Sequence, residues 1–238
     1  MKKINIPSNL TSLAYDSIKQ YILDGKLDED ARLTEEFLST ALGISKSPIR
    51  EALNRLEAEG LIRIEPRRGA YLRDFSTKDI EDLYDLREAL ETHVVHTAAL
   101  SPELISELKH SVRRMRKFLK ENNKPHYIDE DMHFHAALAT ATSNNRLCKA
   151  LENVQNQIWI FRRKTYDLSS STAPDFHVAI AGALEAGDRT RAEQAMREHI
   201  ATVRQKLLEF LEQEHQKQAD RAEPRKADLL LRQAEAPR

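Results

Sequence analysis

Residues 43–69, GISKSPIREALNRLEAEGLIRIEPRRG, constrain this chain more than any other stretch. Gly43 stops the helix before it. Ser45 or Ser47 can cap a new helix, and Pro48 falls in its first turn, where a missing N–H does no harm. Ile49, Leu53 and Leu56 then recur at helical spacing, which leaves Lys46, Ser47, Arg50 and Asn54 on the opposite face. Two short apolar runs, 61–64 and 70–72, flank Pro66, Arg67, Arg68 and Gly69, and the glycine supplies a turn conformation that a Cβ resists. A turn, an amphipathic helix opening on small and basic residues, and a hairpin tipped with arginine make a winged helix-turn-helix.

In that layout the N-terminal residues of the second helix meet base edges. Arginine or lysine pairs with guanine there, and serine contacts bases or phosphates. The expected DNA contacts are Ser45, Lys46, Ser47, Arg50 and Asn54 on the helix, with Arg50 first. On the wing, Arg67, Arg68 and Gly69 lie along phosphates or reach a minor groove. A net charge of −1 for 238 residues argues at first against a nucleic-acid partner. The distribution reverses this: residues 46–73 hold seven basic and four acidic side chains, a net of +3, whereas residues 1–45 hold five and seven, a net of −2. Screening within about 8–10 Å lets a local basic face act on phosphates by itself.

Upstream, Leu10, Leu13, Ala14, Ile18, Tyr21 and Ile22 recur at helical spacing before Gly25, and Thr34 can cap a short helix that Gly43 ends. Beyond Ser76, helical patterns cover 77–100, 103–120, 127–142, 146–167, 174–186 and 188–213, with no β-alternation between them. Six helices on short turns describe an antiparallel bundle. The fold expected is therefore mainly α: a DNA-binding winged helix over 1–75, an all-helical domain over 76–215, and a charged, Gln-rich tail over 216–238 that is expected to be disordered. No apolar run approaches the ~18 residues that span a bilayer, and the N-terminus lacks a signal peptide's apolar core. The one cysteine, Cys148, suits a reducing compartment as a small hydrophobe. Together these predict a cytoplasmic protein with no membrane partner.

Several polar side chains fall where the bundle helices should be apolar. Asp131 and His135 stand one turn apart on the face of Phe134, Leu138 and Ala141. His177 precedes Ile180, Ala181 and Leu184, and His199 lies among Ala192, Ala195, Met196 and Val203. Each histidine alone reads as a satisfied core residue. Four such groups together do not, since each would need its own buried partner. His177 lies ten residues before Gly187 and His199 twelve after it, about 15 and 18 Å along two antiparallel axes at 1.5 Å per residue, so they stand at nearly one height. With Asp131 and His135 they form an N₃O set for a divalent metal, zinc first, with nickel, manganese or iron where waters or a ligand complete a larger shell. Glu130 with His133 is a competitor on a less apolar face. Arg87 sits on the inward stripe of Ile80, Leu83, Leu90 and Val94, where it either pairs with Glu91 one turn away or clamps a carboxylate ligand held by the metal. Arg162 and Arg163, beside Trp159, are weaker candidates because paired arginines more often face solvent.

The runs LGISKSPIREAL at 42–53, LEAEGLI at 56–62 and Arg68-Gly69 resemble the winged helix of GntR-type bacterial transcription regulators. Two positions depart from that pattern. Lys46 stands where arginine is usual, keeping the charge but losing the planar fork. Glu36 matches a position that carries a DNA-contacting arginine in some members, so that contact is expected to be missing. DLYDLREALE at 82–91, DMHFH at 131–135, FHVAI at 176–180 and MREHI at 196–200 are similar to the FCD effector domain of the FadR branch. The resemblance implies a homodimer that reads a pseudo-palindromic operator, with a divalent metal helping to bind a small organic acid as effector. It covers about residues 8–212. An enzyme is the alternative, since a metal held by three histidines and an aspartate can activate water. No His-Glu-x-x-His motif supports it, and a DNA reader would be unexplained. A constitutive DNA binder with a structural metal is the third possibility.

Overall fold

The computed structural model describes residues 9–27 and 31–234. Helices α1 (Asn9–Leu23), α2 (Glu35–Leu42) and α3 (Lys46–Ala58) precede a hairpin of β1 (Ile62–Glu65) and β2 (Gly69–Leu72). Thr34 caps α2 by accepting from the Phe37 N–H, and Gly43 ends it with φ 66°. Ser45 stands at the N-cap of α3 without a side-chain capping bond. Ile49, Ala52, Leu53 and Leu56 of α3 pack with Ala14, Tyr15, Ile18 and Ile22 of α1 to make a first core. Leu13, placed on the buried face by periodicity, is 52% exposed. Tyr15 takes the interior place instead, donating its hydroxyl to Glu59 from below the Arg55 guanidinium.

The wing pairs Ile62 with Leu72 through to Glu65 with Gly69, antiparallel. Leu33 adds one bridge to its edge: Leu33 N–H donates to Ala70 O and Ala70 N–H to Leu33 O, each at 2.8 Å. Gly69 has φ 122°, and a Cβ on it would lie 2.9 Å from Leu33 O. The glycine is required by both backbone angle and space, as the turn chemistry predicted.

Residues 73–76 carry the chain from wing to bundle. Arg73 N–H donates to Leu61 O at 3.1 Å, and its guanidinium pairs with Asp79 at 2.7 Å. Ser76 and Asp79 then form a reciprocal capping box that starts α4.

The bundle comprises α4 (Thr77–Thr97), α5 (Pro102–Lys120), α6 (Lys124–Thr140), α7 (Asn145–Ser169), α8 (Ala173–Glu185) and α9 (Arg189–Ala234). Ser101, Asn123 and Asn144 cap α5, α6 and α7 through their side chains. A second core runs from Ile80 to Leu207, with α6 between α5 and α7, and α9 against α4 and α8. The two cores touch: Leu23 of α1 packs on the bundle core, Ile160 of α7 packs on the first core, and Lys19 pairs with Glu152 at 2.8 Å. Cys148 is half-buried, its thiol donating to Ala139 O.

The C-terminal segment departs from expectation. Where disorder was expected from residue 216, α9 continues to Ala234. Alanine, glutamine, lysine, arginine and leucine dominate there and favour helix without an apolar face, with Pro224 the one residue that opposes it. Residues 235–238 of that tail lie outside the described residues. No helix among the described residues is long and apolar enough to cross a membrane.

Candidate metal centre and DNA-reading face

Three helices bring the four expected ligands together. Asp131 and His135 come from α6, His177 from α8 and His199 from α9, with Gly187 (φ 73°) turning the chain between the last two. One ligand atom from each lies within 4.8 Å of all the others, and all four residues are buried. The His177 and His199 ring centroids are 4.7 Å apart, and Phe134 stacks on His177 at 4.2 Å. Four ligands at about 2.1 Å from a tetrahedral metal stand roughly 3.4 Å apart, so small side-chain rotations would close the set.

The polar atoms support this reading. Both nitrogens of His177, both of His199 and Oδ1 of Asp131 are buried without a hydrogen-bond partner. Such orphans are costly, and five around one point are a donor set that a bound cation would satisfy. Burial pushes His177 down to about 3, against partial opposition from Asp131. Burial also holds His199 well below its usual value, with His177 adding to the effect. Burial alone would raise Asp131, but Arg162 and His177 outweigh it and hold the carboxyl well below the ordinary range. Two neutral imidazoles and one carboxylate at pH 7 are the forms that bind a metal.

Arg87 and Glu91 surround His135. The guanidinium of Arg87, 2% exposed, donates from Nε to Glu91 at 2.7 Å and from Nη2 to His135 Nε2 at 3.0 Å. Arginine has no acceptor, so Nε2 carries a lone pair and the ring proton sits on Nδ1, against the Glu91 carboxylate. Nε2 has a single lone pair, so a metal there would take the place of the Arg87 N–H, while a carboxylate behind Nδ1 is the usual second support of a metal-binding imidazole. Burial would raise Glu91, but His135 and Arg87 together bring it down to about 2. Arg87 thus pairs with Glu91, the first of its two readings, and it also borders the candidate metal centre.

Arg162 corrects the expectation of a solvent-facing side chain. It is buried, and Nη1 donates to Asp131 Oδ2. The signal was present: Arg162 is four residues from Ile158 and four from Tyr166, both buried, the same spacing that singled out Arg87. The side chain of Arg163 lies outside the described residues. A small cavity next to the cluster is lined by Arg87, Arg162, Gln155 and Trp159 among others. Glu130 and His133, the competing pair, are engaged elsewhere, with Arg114 and Glu107 respectively.

On the N-terminal half, Ser45, Lys46, Ser47, Arg50 and Asn54 are exposed along α3, and Arg67 and Arg68 are exposed at the wing tip beside half-buried Gly69. Arg67 has φ 66° and turns the tip. Arg50 is not free: Nε and Nη2 each donate at 2.7 Å to the two carboxylate oxygens of Glu35.

Residues 10–72 match the bacterial regulatory proteins of the gntR family, and residues 82–202 match the FCD domain. A probable D-xylose utilization operon transcriptional repressor from Paenarthrobacter nicotinovorans is 28% identical over 196 residues, covering 82% of this chain and 87% of its own. The HTH-type transcriptional regulator LutR of Bacillus subtilis (strain 168) is 29% identical over 218 residues, 79% of this chain and 94% of its own. Among solved structures, a transcriptional regulator GntR from Rhodococcus sp. RHA1 superposes with TM-score 0.72 at 24% identity, covering 84% of this chain and 98% of that one. The Escherichia coli protein McbR/YncC gives 0.69 at 20%, covering 87% and 98%.

Proposed function

Because the chain belongs to the gntR family of bacterial regulatory proteins and carries an FCD domain, we propose that it is a cytoplasmic homodimeric regulator whose operator binding responds to a small organic acid held at a metal centre. The family and its named relatives are transcription regulators rather than enzymes. One observation carries the finer reading: three histidines and an aspartate, all buried, converge with five polar atoms lacking partners. Asp131, His135, His177 and His199 would hold a divalent cation, zinc first, with nickel, manganese or iron as alternatives. Such a cation gives a carboxylate an electrophilic anchor inside an otherwise apolar bundle. Arg87 and Arg162, both buried and both bordering the cavity, supply planar forks for the acid's oxygens. Glu91 orients His135 from behind.

The winged helix occupies residues 1–75 and the effector domain 76–215 in this reading. Two copies of the reader meet a pseudo-palindromic duplex, with Arg50 at base edges, Ser45, Lys46, Ser47 and Asn54 around it, and Arg67, Arg68 and Gly69 on the backbone. Acid binding alters the reader's bearing through contacts such as Leu23 on the bundle core. A coupling of about 1–3 kcal/mol changes operator occupancy severalfold to a hundredfold.

Native mass spectrometry and elemental analysis of the purified protein test this. The expected result is a dimer with one divalent metal per chain, absent from the His177→Ala/His199→Ala double variant. Full metal content in that variant would falsify the site.

A further inference from the structure

The pairing of Arg50 with Glu35 has a direction. An arginine guanidinium offers five N–H donors arranged as two forks. The side fork uses Nε and Nη2; the end fork uses Nη1 and the other hydrogen of Nη2. Glu35 occupies the side fork, its two oxygens receiving Nε and Nη2 at 2.7 Å each. The end fork remains, and its two parallel N–H groups match the O6 and N7 acceptors of guanine.

We infer that Glu35 is a positioning residue for DNA reading, a buttress that fixes the plane of the Arg50 guanidinium so that its end fork meets guanine. The inference rests on the reading of Arg50 as a base contact. Glu35 lies in the first turn of α2, whose start is fixed by the Thr34 cap, and α2 packs on α3. The carboxylate is therefore anchored to the same rigid unit as the helix it serves. A free arginine on an exposed helix face samples many rotamers and also serves phosphates. One held in a plane gives up that freedom before DNA arrives, which favours a bidentate base contact over an adaptable phosphate contact. Glu36, next in sequence and exposed, has no such partner among the hydrogen bonds of α3 and offers no comparable support.

The opposite role is conceivable from the same contact: a carboxylate standing where a phosphate would bind, competing with DNA. The two roles part on the end fork. A competitor blocks affinity and leaves discrimination alone, whereas a buttress creates discrimination at one base pair.

The experiment uses full-length protein and a duplex selected by the wild type from a randomised library, with poly(dI-dC) as the non-specific probe. Each guanine of the half-site is replaced in turn, and the affinity penalty is measured. Wild type should show a penalty of about 5- to 150-fold at one guanine, and Arg50→Ala should lose it. Glu35→Gln and Glu35→Asp should each reduce the penalty at that same guanine at least fivefold, with poly(dI-dC) affinity equal or higher and an unchanged melting temperature. The aspartate variant keeps the charge and shortens the reach, so it separates positioning from electrostatics. Tighter binding by the Glu35 variants with the guanine penalty intact overturns the buttress in favour of a competitor. An unchanged penalty at unchanged affinity overturns it in favour of a surface ion pair. A penalty that persists in Arg50→Ala refutes the base contact itself, and the inference with it.

Discussion

Glu91→Gln is the sharpest probe of the bundle interior. Glu91 is 1% exposed and faces two groups: Arg87 through a 2.7 Å bond to Oε1, and His135 Nδ1 through the other oxygen. Glutamine preserves size and one acceptor but removes the charge. Two costs follow. Removing one partner of a buried ion pair leaves the Arg87 charge uncompensated, at about 3–5 kcal/mol, with the retained amide oxygen drawing the value toward the lower end. His135 loses the anionic acceptor behind Nδ1, and supports of this kind are worth about 10–100-fold in metal affinity, or roughly 1.4–2.7 kcal/mol. The guanidinium 3.0 Å from His135 Nε2 then repels an incoming cation without neutralisation, which acts in the same direction. Urea unfolding of metal-stripped protein measures the first cost, and zinc competition against a chromophoric chelator measures the second. Glu88→Gln, on the same helix but in a surface pair with Arg197, is the control. A variant that is destabilised by several kcal/mol yet binds zinc within twofold of wild type would show that Glu91 only balances Arg87 and that the tautomer deduced for His135 is wrong.

Two further outcomes are expected. Gly69→Ala incurs about 1–3 kcal/mol of backbone strain at φ 122° and must also push Leu33 O from 2.9 Å, so in urea it should lose more stability than Gly43→Ala, where φ is 66°, no atom lies within 4 Å, and about 1–2 kcal/mol is expected; equal losses would refute the clash. Metal-free protein should lose stability as pH falls from about 6.5 toward 3, because unfolded His177 binds a proton that the buried ring, depressed to about 3, refuses. Between pH 6.5 and 5, where carboxylates change little, His177→Asn should flatten that slope, and an unaltered slope contradicts the assignment.

Much of this architecture was legible in the residues. Gly43, Pro48 and Gly69 punctuate the winged helix because each answers to a backbone constraint that acts locally, and the Ser101 and Thr34 caps work the same way. Gly187 made the heights of His177 and His199 computable from a rise per residue, and the rings do meet. Less visible was anything that depends on which of two neighbours wins a contact. Arg87 could serve Glu91 or a ligand site, and spacing alone could not decide; it touches Glu91 and His135 together. Arg162 follows its own helical spacing inward, although paired arginines more often face solvent. The Glu35–Arg50 pair joins two helices across 15 residues of chain and so leaves no periodic trace in the sequence. Over 216–234 the converse holds: helix propensity without an apolar face leaves no amphipathic pattern in the sequence.

The joint over residues 73–76 sets what kind of machine can be built on these parts. Four residues reach about 14 Å at full extension, and here neither end is loose: Arg73 is fastened to Leu61 and Asp79, and Ser76 is locked into the first turn of α4. The reader therefore has almost no slack relative to α4, the helix that carries Arg87 and Glu91. A displacement of that helix by an ångström or two would then reach the winged helix as a rotation rather than be absorbed in a floppy tether. What a long linker would average away, a joint this short and this fastened is built to pass on.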